Sequence, residues 1–375
     1  MIPREWRAAR RVLAIRLDNL GDVLLATPAI HAIRESLPEA EITLLTSEVG
    51  AQIGRLNPDV AEVVVYRAPW MDPWRRLPHD PQREMEAIAR IRDGRYDAAV
   101  IFSSFHQSPL PAAFLCYLAG IPLRLAASID GPGSLLTTRH KHPERMMHEV
   151  ERGLDLVAAV DMRTSDDRLV LRIPDEAHAE AAALISGHRP LVVVHPGCTM
   201  PARTYSWEQY AESIELLVRD LDARVVLTGV AEERPLVEAI RARLDPWVRP
   251  RVTAAAGTLA FPAFAALIAS ADVVVTNNTG PMHIAAAVET PVVALFALTN
   301  PPEQWGPWRV PHRMLWHEMP CRLCYNRVCP TTHDCLTRVS AAEVIRAVAD
   351  LLCATAAPPD APTSAKRDAL GMALA

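Results

Sequence analysis

Residues 11–23 read RVLAIRLDNLGDV, a short apolar run followed by a polar turn that contains Gly21. A brief run of branched apolar residues is typical of a buried parallel strand, and the polar turn predicts the start of a helix. Residues 272–283 read DVVVTNNTGPMH and repeat this plan late in the chain. A strand–turn–helix unit that recurs in this way predicts an α/β protein with parallel sheets.

Other short apolar runs continue the alternation through both halves of the chain. We predict further strands at 41–46, 62–66, 97–102, 191–194, 224–228 and 291–296, separated by helical patterns. Residues 126–147 are rich in Gly, Pro, Thr and His and read as a loop. The apolar residues 110–123 are too few to span a membrane, so they read as a buried core helix plus a strand.

The alternation predicts two open α/β domains, residues 1–173 and 174–355, with parallel sheets that face a central cleft. Ligands bind such sheets at the carboxyl ends of their strands, so the cleft is the expected site. Residues 356–375 are rich in Ala and Pro, and we expect a disordered tail there.

Composition and charge exclude several classes of protein. Half of the 375 residues are apolar and the net charge is −5, so disorder throughout is excluded and no basic excess favours nucleic acid. The N-terminus combines Trp6 with four arginines, which could touch an anionic membrane surface, and a solvated arm is the alternative. We therefore predict a cytoplasmic protein. The alternative is a cytoplasmic protein that also makes peripheral contact with the inner face of the plasma membrane.

The first candidate group is Asp22, which follows the first strand and lies at or near a helix N-terminus. An aspartate in this position most often caps the helix. A carboxylate at the strand ends of a parallel sheet could also act as a general base. On the residues alone both interpretations stay open.

Two later turns carry groups that suit an anion. Residues 195–197, HPG, follow a buried strand, where backbone N–H groups can approach a phosphate, and Arg203 could add a positive charge. Residues 279–280 open a helix whose N-terminus favours anions, and His283 falls in its first turn. The alternatives are an ordinary loop with a solvated arginine and a structural helix histidine.

Taken together, three segments resemble glycosyltransferase family 9, the ADP-heptose:lipopolysaccharide heptosyltransferase family. They are RLDNLGDVLLATPAIHAIR from residue 16, HPG followed by an Arg and an aromatic in mid-chain, and NNTGPMHIAAA followed by PVVALFALTNPPEQWGP. The resemblance implies a GT-B fold, with two Rossmann-like domains that bind the acceptor on the N-terminal side and the nucleotide-sugar on the C-terminal side. It also implies an inverting transfer without a catalytic metal.

The resemblance also assigns roles to individual positions. Asp22 matches the family's general base, and Arg203 matches a basic residue on the donor diphosphate. The positions that match the donor-binding segments are His195, Gly197, Asn278, Thr279, Gly280 and His283. Asn278 departs from the family, because many members have Asp there, and the lost charge leaves the sugar open. As acceptor contacts we take the residues after the fourth strand, Ser104, His106 and Gln107.

The function predicted in this way is transfer of a sugar, heptose from ADP-heptose first, to an acceptor hydroxyl in lipopolysaccharide core or a related glycan. A protein or natural-product acceptor is one alternative. A nucleotide-sugar epimerase or hydrolase of the same architecture would turn over the donor without an acceptor. A non-catalytic binding protein, for which Asn278 is mild support, would bind the donor without turnover.

The cysteines form a separate feature. Their number, seven, is odd and argues against a disulfide scaffold. Four of them, Cys321, Cys324, Cys329 and Cys335, fall within one short segment, and closely spaced thiols suit Zn²⁺ or iron. The resemblance suggests a structural metal knuckle, as in some relatives, while reduced thiols and disulfides are the alternatives. We expect catalysis itself to need no cofactor.

Overall fold

A computed structural model describes residues 1–71, 76–104, 107–185 and 187–356. Each half of the chain forms a six-stranded sheet in which all paired strands run parallel. The first sheet contains β1 (Arg11–Arg16), β2 (Glu41–Thr46), β3 (Glu62–Val65), β4 (Ala98–Ile101), β5 (Leu123–Ala127) and β6 (Thr138–His140). The second contains β7 (Leu191–His195), β8 (Arg224–Leu227), β9 (Val252–Ala254), β10 (Val273–Asn277), β11 (Val292–Leu295) and β12 (His312–Leu315).

Both sheets have the same strand order. It is β3-β2-β1-β4-β5-β6 in the first sheet and β9-β8-β7-β10-β11-β12 in the second. This is the Rossmann order: the first strand of each half lies inside the sheet, the next two strands lie on one side of it, and the last three lie on the other. A crevice opens where the order reverses, so ligand-binding residues are expected after β1 and β4 and after β7 and β10.

The described helices cover the faces of the two sheets. They are α1 (Arg4–Arg7), α2 (Leu20–Ser36), α3 (Ala51–Gly54), α4 (Pro81–Asp93), α5 (Leu110–Leu118), α6 (Glu149–Ala158), α7 (Asp175–Ala182), α8 (Trp207–Leu221), α9 (Arg234–Arg243), α10 (Phe261–Ser270), α11 (Gly280–Ala287), α12 (Pro302–Trp305), α13 (Asp334–Thr337) and α14 (Ala341–Ala356). Because helices lie on both faces, the central strands are buried on both sides and are apolar throughout, as in β4 and β11.

The two halves touch directly. One buried apolar cluster includes Ile30 of α2 and Phe296 after β11, and α2 also packs against α11. At the start of α6, the imidazole Nε2 of His148 lies 3.0 Å from the carbonyl oxygen of Gly306, and the two rings of His148 and Trp308 stack with centroids 4.6 Å apart. These contacts join the two halves, and the site lies where α2 meets α11.

The predicted α/β class and parallel sheets are confirmed, but the edges of the sheets differ from the prediction. Residues 138–140 form strand β6, so the loop predicted over 126–147 is wrong there. The edge strands β9 and β12 were not predicted either. All three are short and only partly buried, and therefore lack the apolar run that marks a central strand. Helix α5 is also less buried than predicted, since Phe114 is 49% exposed.

Trp6 occupies neither of the two places considered for it, a membrane surface or a solvated arm. Trp6 is only 1% exposed and belongs to the apolar cluster that contains Ile30. The single turn of α1 points the indole inward and leaves Arg4 and Arg7 exposed, so the arginines are solvated while the tryptophan packs in the core. Among the described helices, none is both long enough and apolar enough to cross a bilayer.

The predicted boundary between residues 173 and 174 falls between structural elements, whereas the predicted start of the tail at residue 356 falls inside α14. Helix α7 begins at Asp175 and packs on α10, and α14 packs on α8, so residues after 174 associate with the second sheet. Helix α14 includes Ala356, the first residue of the predicted tail, and residues 357–375 lie outside the described part of the chain. The ligand assigned to each half stays a prediction.

Candidate active site

The first turns of α2 and α11 meet across the two halves. A Cβ atom at Gly21 would lie 2.6 Å from Cδ2 of His283, and one at Gly280 would lie 3.3 Å from Cδ2 of Leu20. The first of these distances is too short for any side chain, so glycine at position 21 permits the approach. The turn after β1 therefore lies against the turn after β10.

Asp22 is the third residue of α2, and its two carboxylate oxygens have different partners. Oδ2 accepts the backbone N–H of Asn19 at 3.1 Å. Oδ1 lies 3.2 Å from Nη2 of Arg16 and 3.4 Å from the hydroxyl of Ser104. The helix-capping interpretation of Asp22 thus describes Oδ2, while Oδ1 belongs to a cluster of charged groups at the ends of β1 and β4.

That charge cluster is centred on Arg16, which is 4% exposed. Its Nη2 lies 2.9 Å from Oδ2 of Asp18, 3.2 Å from Oδ1 of Asp22 and 3.6 Å from Oε2 of Glu149. Burial opposes the charge on Arg16, but the three carboxylates outweigh it and raise its pKa. Burial also raises the pKa of Asp18, to about 6, and the pKa of Glu149. One cation thus orients three carboxylates, and burial favours the protonated form of Asp18 and Glu149.

In the turn after β7, Gly197 lies against the carboxylate of Glu233. A side chain at Gly197 would overlap the carboxylate of Glu233, which also lies 3.7 Å from Nε2 of His195. Nδ1 of His195 lies 3.1 Å from the hydroxyl of Thr228. Burial lowers the pKa of His195 to about 4, so the ring is neutral near pH 7, and burial raises the pKa of Glu233. Glycine at 197 therefore makes room for a carboxylate at the strand ends.

The turn after β10 and the first turn of α11 contain two buried polar atoms that have no hydrogen-bond partner within the described ranges of the chain. The amide of Asn277 donates to the carbonyl of Pro196 at 2.8 Å and so joins this turn to the one after β7. The amide of Asn278 donates to Oδ1 of Asn300 at 2.9 Å. Oδ1 of Asn278 and Nδ1 of His283 have no hydrogen-bond partner among the described residues. Such atoms are costly to bury, and their concentration in one turn is typical of a ligand site.

Arg203 is not a solvated surface arginine. It is partly buried, and its Nε donates to the hydroxyl of Thr299 at 2.9 Å. Burial lowers the pKa of Arg203, and the nearby Cys198 and Asp22 oppose that shift. Burial also lowers the pKa of His283, to about 4, with Asp22 again acting in the opposite direction. The structure thus brings Asp22, Arg203 and His283 within electrostatic reach of one another.

The candidate acceptor residues divide. Ser104 is buried in the charge cluster, where its hydroxyl donates to Oδ2 of Asp18 at 2.9 Å, so it orients carboxylates rather than facing open solvent. Gln107 accepts the backbone N–H of Ser104 at 3.0 Å and lines a pocket together with Asp18 and Trp70. His106 lies outside the described residues. A second pocket is lined by Arg16, Asp22 and His142 among others.

The four clustered cysteines do not form a preformed metal site. No three of their sulfur atoms lie within 4.8 Å of one another, and within the described part of the chain only His140, His142 and Asp155 form such a group. All seven cysteines, the four clustered ones included, are free thiols. Cys321, Cys324 and Cys329 nevertheless lie within electrostatic reach of Cys335, and the tetrahedral thiolate site stays a prediction.

The cysteine segment, residues 321–335, packs against the loop that carries Arg203. The carbonyl of Ala202 lies 2.9 Å from Nε2 of His333, and its N–H donates to the carbonyl of Arg327 at 2.9 Å. The N–H of Tyr325 donates to the carbonyl of Thr299, the residue whose hydroxyl holds Arg203. The spacing of the cysteines gives no sign of this contact, because it joins segments far apart in the chain.

Three acidic or basic groups at the site were not predicted, two of them buried and Glu233 partly buried. Arg16 ends β1, Glu149 opens α6, and Glu233 follows β8. The signal for Glu233 was its position in a polar turn after a buried strand, TGVAEE, at the carboxyl edge where ligands bind. Glu149 has no comparable signal, since only the packing of α6 on α2 brings it to Arg16.

The architecture and site define a two-domain, GT-B type α/β enzyme whose sheets face each other across a cleft. Residues 86–334 match the family model described as glycosyltransferase family 9 (heptosyltransferase), and the chain belongs to this family. It is therefore a glycosyltransferase.

Similarity to individual proteins extends over most of the chain. It is 26% identical over 308 residues to lipopolysaccharide heptosyltransferase 2 of Escherichia coli (strain K12), which covers 78% of this chain and 84% of that protein. The solved structure of E. coli ADP-heptose lps heptosyltransferase II superposes with a TM-score of 0.74 at 22% identity and covers 92% of this chain and 100% of that chain. The iron-containing dodecameric glycosyltransferase TibC of enterotoxigenic E. coli matches with a TM-score of 0.54 at 14% identity, over 92% of this chain and 77% of that chain.

Proposed function

We propose that the protein transfers heptose from ADP-heptose to a hydroxyl of lipopolysaccharide core or a related glycan, with inversion and without a catalytic metal. One observation carries the proposal: the Asp22 carboxylate lies near Asn278 and His283, each of which has a buried polar atom with no partner in the part of the chain that the structure describes. The donor and the acceptor class come from the similar E. coli heptosyltransferases.

The proposed reaction is a single displacement. The acceptor oxygen attacks the anomeric carbon as its proton passes to the carboxylate of Asp22. The bond between the anomeric carbon and the diphosphate oxygen breaks, and its electron pair leaves with ADP. Attack from the face opposite the leaving group inverts the anomeric configuration. General-base assistance of this kind is typically worth about 10²–10⁴-fold in rate.

The leaving diphosphate gains negative charge, and groups in the second half of the chain stabilise that charge. Arg203 supplies a fixed cation, and the N-terminus of α11 supplies the positive end of a helix dipole. His283 was expected to add a charge, but burial lowers its pKa to about 4. We therefore assign it a neutral hydrogen-bonding role.

We further propose that Glu233 accepts hydroxyl groups of the donor ribose. In Rossmann domains an acidic side chain past the first strand–helix unit commonly binds ribose hydroxyls. Glu233 follows β8, the strand next to β7, and its carboxylate touches the site of Gly197. No step of the proposed reaction passes through the cysteine segment.

The test is to offer purified protein several nucleotide-sugars with a lipopolysaccharide core acceptor and to identify the products by mass spectrometry. We expect ADP-heptose to add one heptose unit to the acceptor and to release ADP, at the same rate with and without a chelator. Donor breakdown that needs no acceptor would instead indicate a hydrolase or epimerase. Tight ADP-heptose binding with no product on core, glycan or protein acceptors would indicate a binding protein.

A further inference from the structure

We propose that His140, His142 and Asp155 form a binding site for one divalent transition metal ion of the zinc type. Nε2 of His140 lies 2.6 Å, and Nδ1 of His142 2.7 Å, from the same oxygen, Oδ2 of Asp155. The three ligand atoms all lie within 4.8 Å of one another. This site is separate from the cysteine segment, and the proposal does not depend on the transferase reaction.

The ligand set suits zinc. Two imidazoles and one carboxylate are a common zinc set that leaves a fourth position for water. Bonds of about 2.0–2.2 Å in a tetrahedral arrangement hold ligand atoms about 3.3 Å apart. The two nitrogens therefore need to move away from Oδ2 by less than about 1 Å, which side-chain rotation supplies.

The protonation states also suit a cation. Burial lowers the pKa of His142, which keeps its ring in the neutral, metal-binding form. Burial works against ionisation of Asp155, but the hydrogen bonds from both histidines outweigh it and lower the pKa of Asp155. Arg152 is the nearby opposing charge, and its Nε lies 3.2 Å from Oε1 of Glu149, whose carboxylate offsets it.

The three residues come from different parts of the chain. His140 ends the edge strand β6, Asp155 lies in α6, and His142 is on the connection between them. The side chains of His140, Asp155 and His142 are 18%, 28% and 12% exposed, so they are shielded from solvent yet reachable. A bound ion would tie β6 to α6. Since His142 also lines the pocket of Asp22, the ion would fix one wall of that pocket.

Another histidine in the same half shows what distinguishes this cluster. His31 also contacts two acidic groups, with Nδ1 2.8 Å from Asp59 and Nε2 3.6 Å from Glu35. Those carboxylates lie against opposite nitrogens of one ring and therefore do not converge on one ion. In the proposed site, two rings converge on one carboxylate oxygen. His31 is thus a matched control.

The test is calorimetric titration of metal-free protein with Zn²⁺, in the wild type and in a variant with Cys321, Cys324, Cys329 and Cys335 changed to Ser. We expect one ion per chain at this site in both. Asp155→Asn and His140→Gln should each weaken that binding at least tenfold, whereas His31→Gln should leave it unchanged. Hydrogen exchange should show slower exchange over residues 138–155 when Zn²⁺ is added.

The exchange measurement uses the wild type alone, so it stands even if a variant folds poorly. Equal Zn²⁺ affinity in wild type, Asp155→Asn and His140→Gln would overturn the proposal, as would the absence of any Zn²⁺ binding. It would also be overturned if Zn²⁺ left exchange over 138–155 unchanged, because the three side chains would then form only a hydrogen-bonded group.

Discussion

Asp22 is held from both sides. Its Oδ2 is tied to the start of its own helix, and its Oδ1 faces Arg16 and Ser104. This arrangement fixes the carboxylate in position without the freedom of a surface aspartate, and a base must be well placed before its basicity matters. The neighbouring Asp18, whose pKa burial raises to about 6, lets the cluster hold a proton and limits repulsion between the carboxylates.

Replacing Asp22 by asparagine should abolish most turnover and leave donor binding intact. The amide keeps the size of the side chain but accepts no proton, so we expect a loss of about 10²–10⁴-fold in turnover. Initial rates and the affinity for ADP-heptose are measured side by side. Asp59→Asn is the matched control, because Asp59 is a shielded carboxylate of the same half that contacts His31. Near-normal rates in Asp22→Asn would remove this residue from the role of base.

Removing the guanidinium of Arg203 should weaken donor binding and turnover together. A charge-assisted hydrogen bond is worth about 1.5–3 kcal/mol, so Arg203→Ala should cost roughly 10–100-fold in affinity for ADP-heptose. The control is Arg219→Ala, an exposed arginine of α8 that pairs with Asp220 at 2.8 Å. If the two variants had the same kinetics, Arg203 would have no contact with the donor.

Among the secondary-structure elements, α2 and α11 contact each other at their first turns and so join the two halves of the chain. Gly21→Ala would place a Cβ atom 2.6 Å from the ring of His283, and the helices would have to separate. We expect turnover to fall roughly tenfold or more, because small displacements of reacting groups are costly. Gly131→Ala is the control, since nothing lies within 4 Å of a Cβ atom there. Unchanged turnover in Gly21→Ala would show that this approach is not needed.

The cysteine segment contacts neighbouring loops mainly through hydrogen bonds of its backbone. Its bonds to Ala202 and Thr299 support the loop that carries Arg203. A surface loop rich in thiols is therefore linked by packing to the loop that carries Arg203. This link exists whether or not the thiols bind a metal.

Across the whole molecule, buried histidines should make stability fall in mild acid. Burial lowers the pKa of both His195 and His283 to about 4, whereas an unfolded histidine titrates near 6.5. Between these values the unfolded chain binds protons that the folded chain refuses, so the free energy of unfolding decreases as pH falls from about 6.5 to 4. Each group contributes at most about 3 kcal/mol.

Urea unfolding of the wild type and of His283→Gln between pH 7 and pH 4 tests this expectation. The variant should lose less stability over the range, by up to about 3 kcal/mol. His178→Gln changes an exposed histidine of α7 and should follow the wild-type curve. Parallel curves for wild type and His283→Gln would show that the ring is not buried in its neutral form.

Local pattern predicted the parallel α/β class and the turns after β1, β7 and β10, because apolar runs and the glycines between them act over only a few residues. The edge strands and the burial of Trp6 escaped prediction, since they depend on which surface another segment covers. The roles of the turn residues stay predictions that the experiments above test. Arg16 with Glu149, and Glu233 beside Gly197, are pairings of residues distant in the chain; the polar turn of Glu233 is a local signal, but no local signal indicates which residue either group faces. Buried charges find partners only when helices and sheets pack, which is why folding in three dimensions was needed to define them.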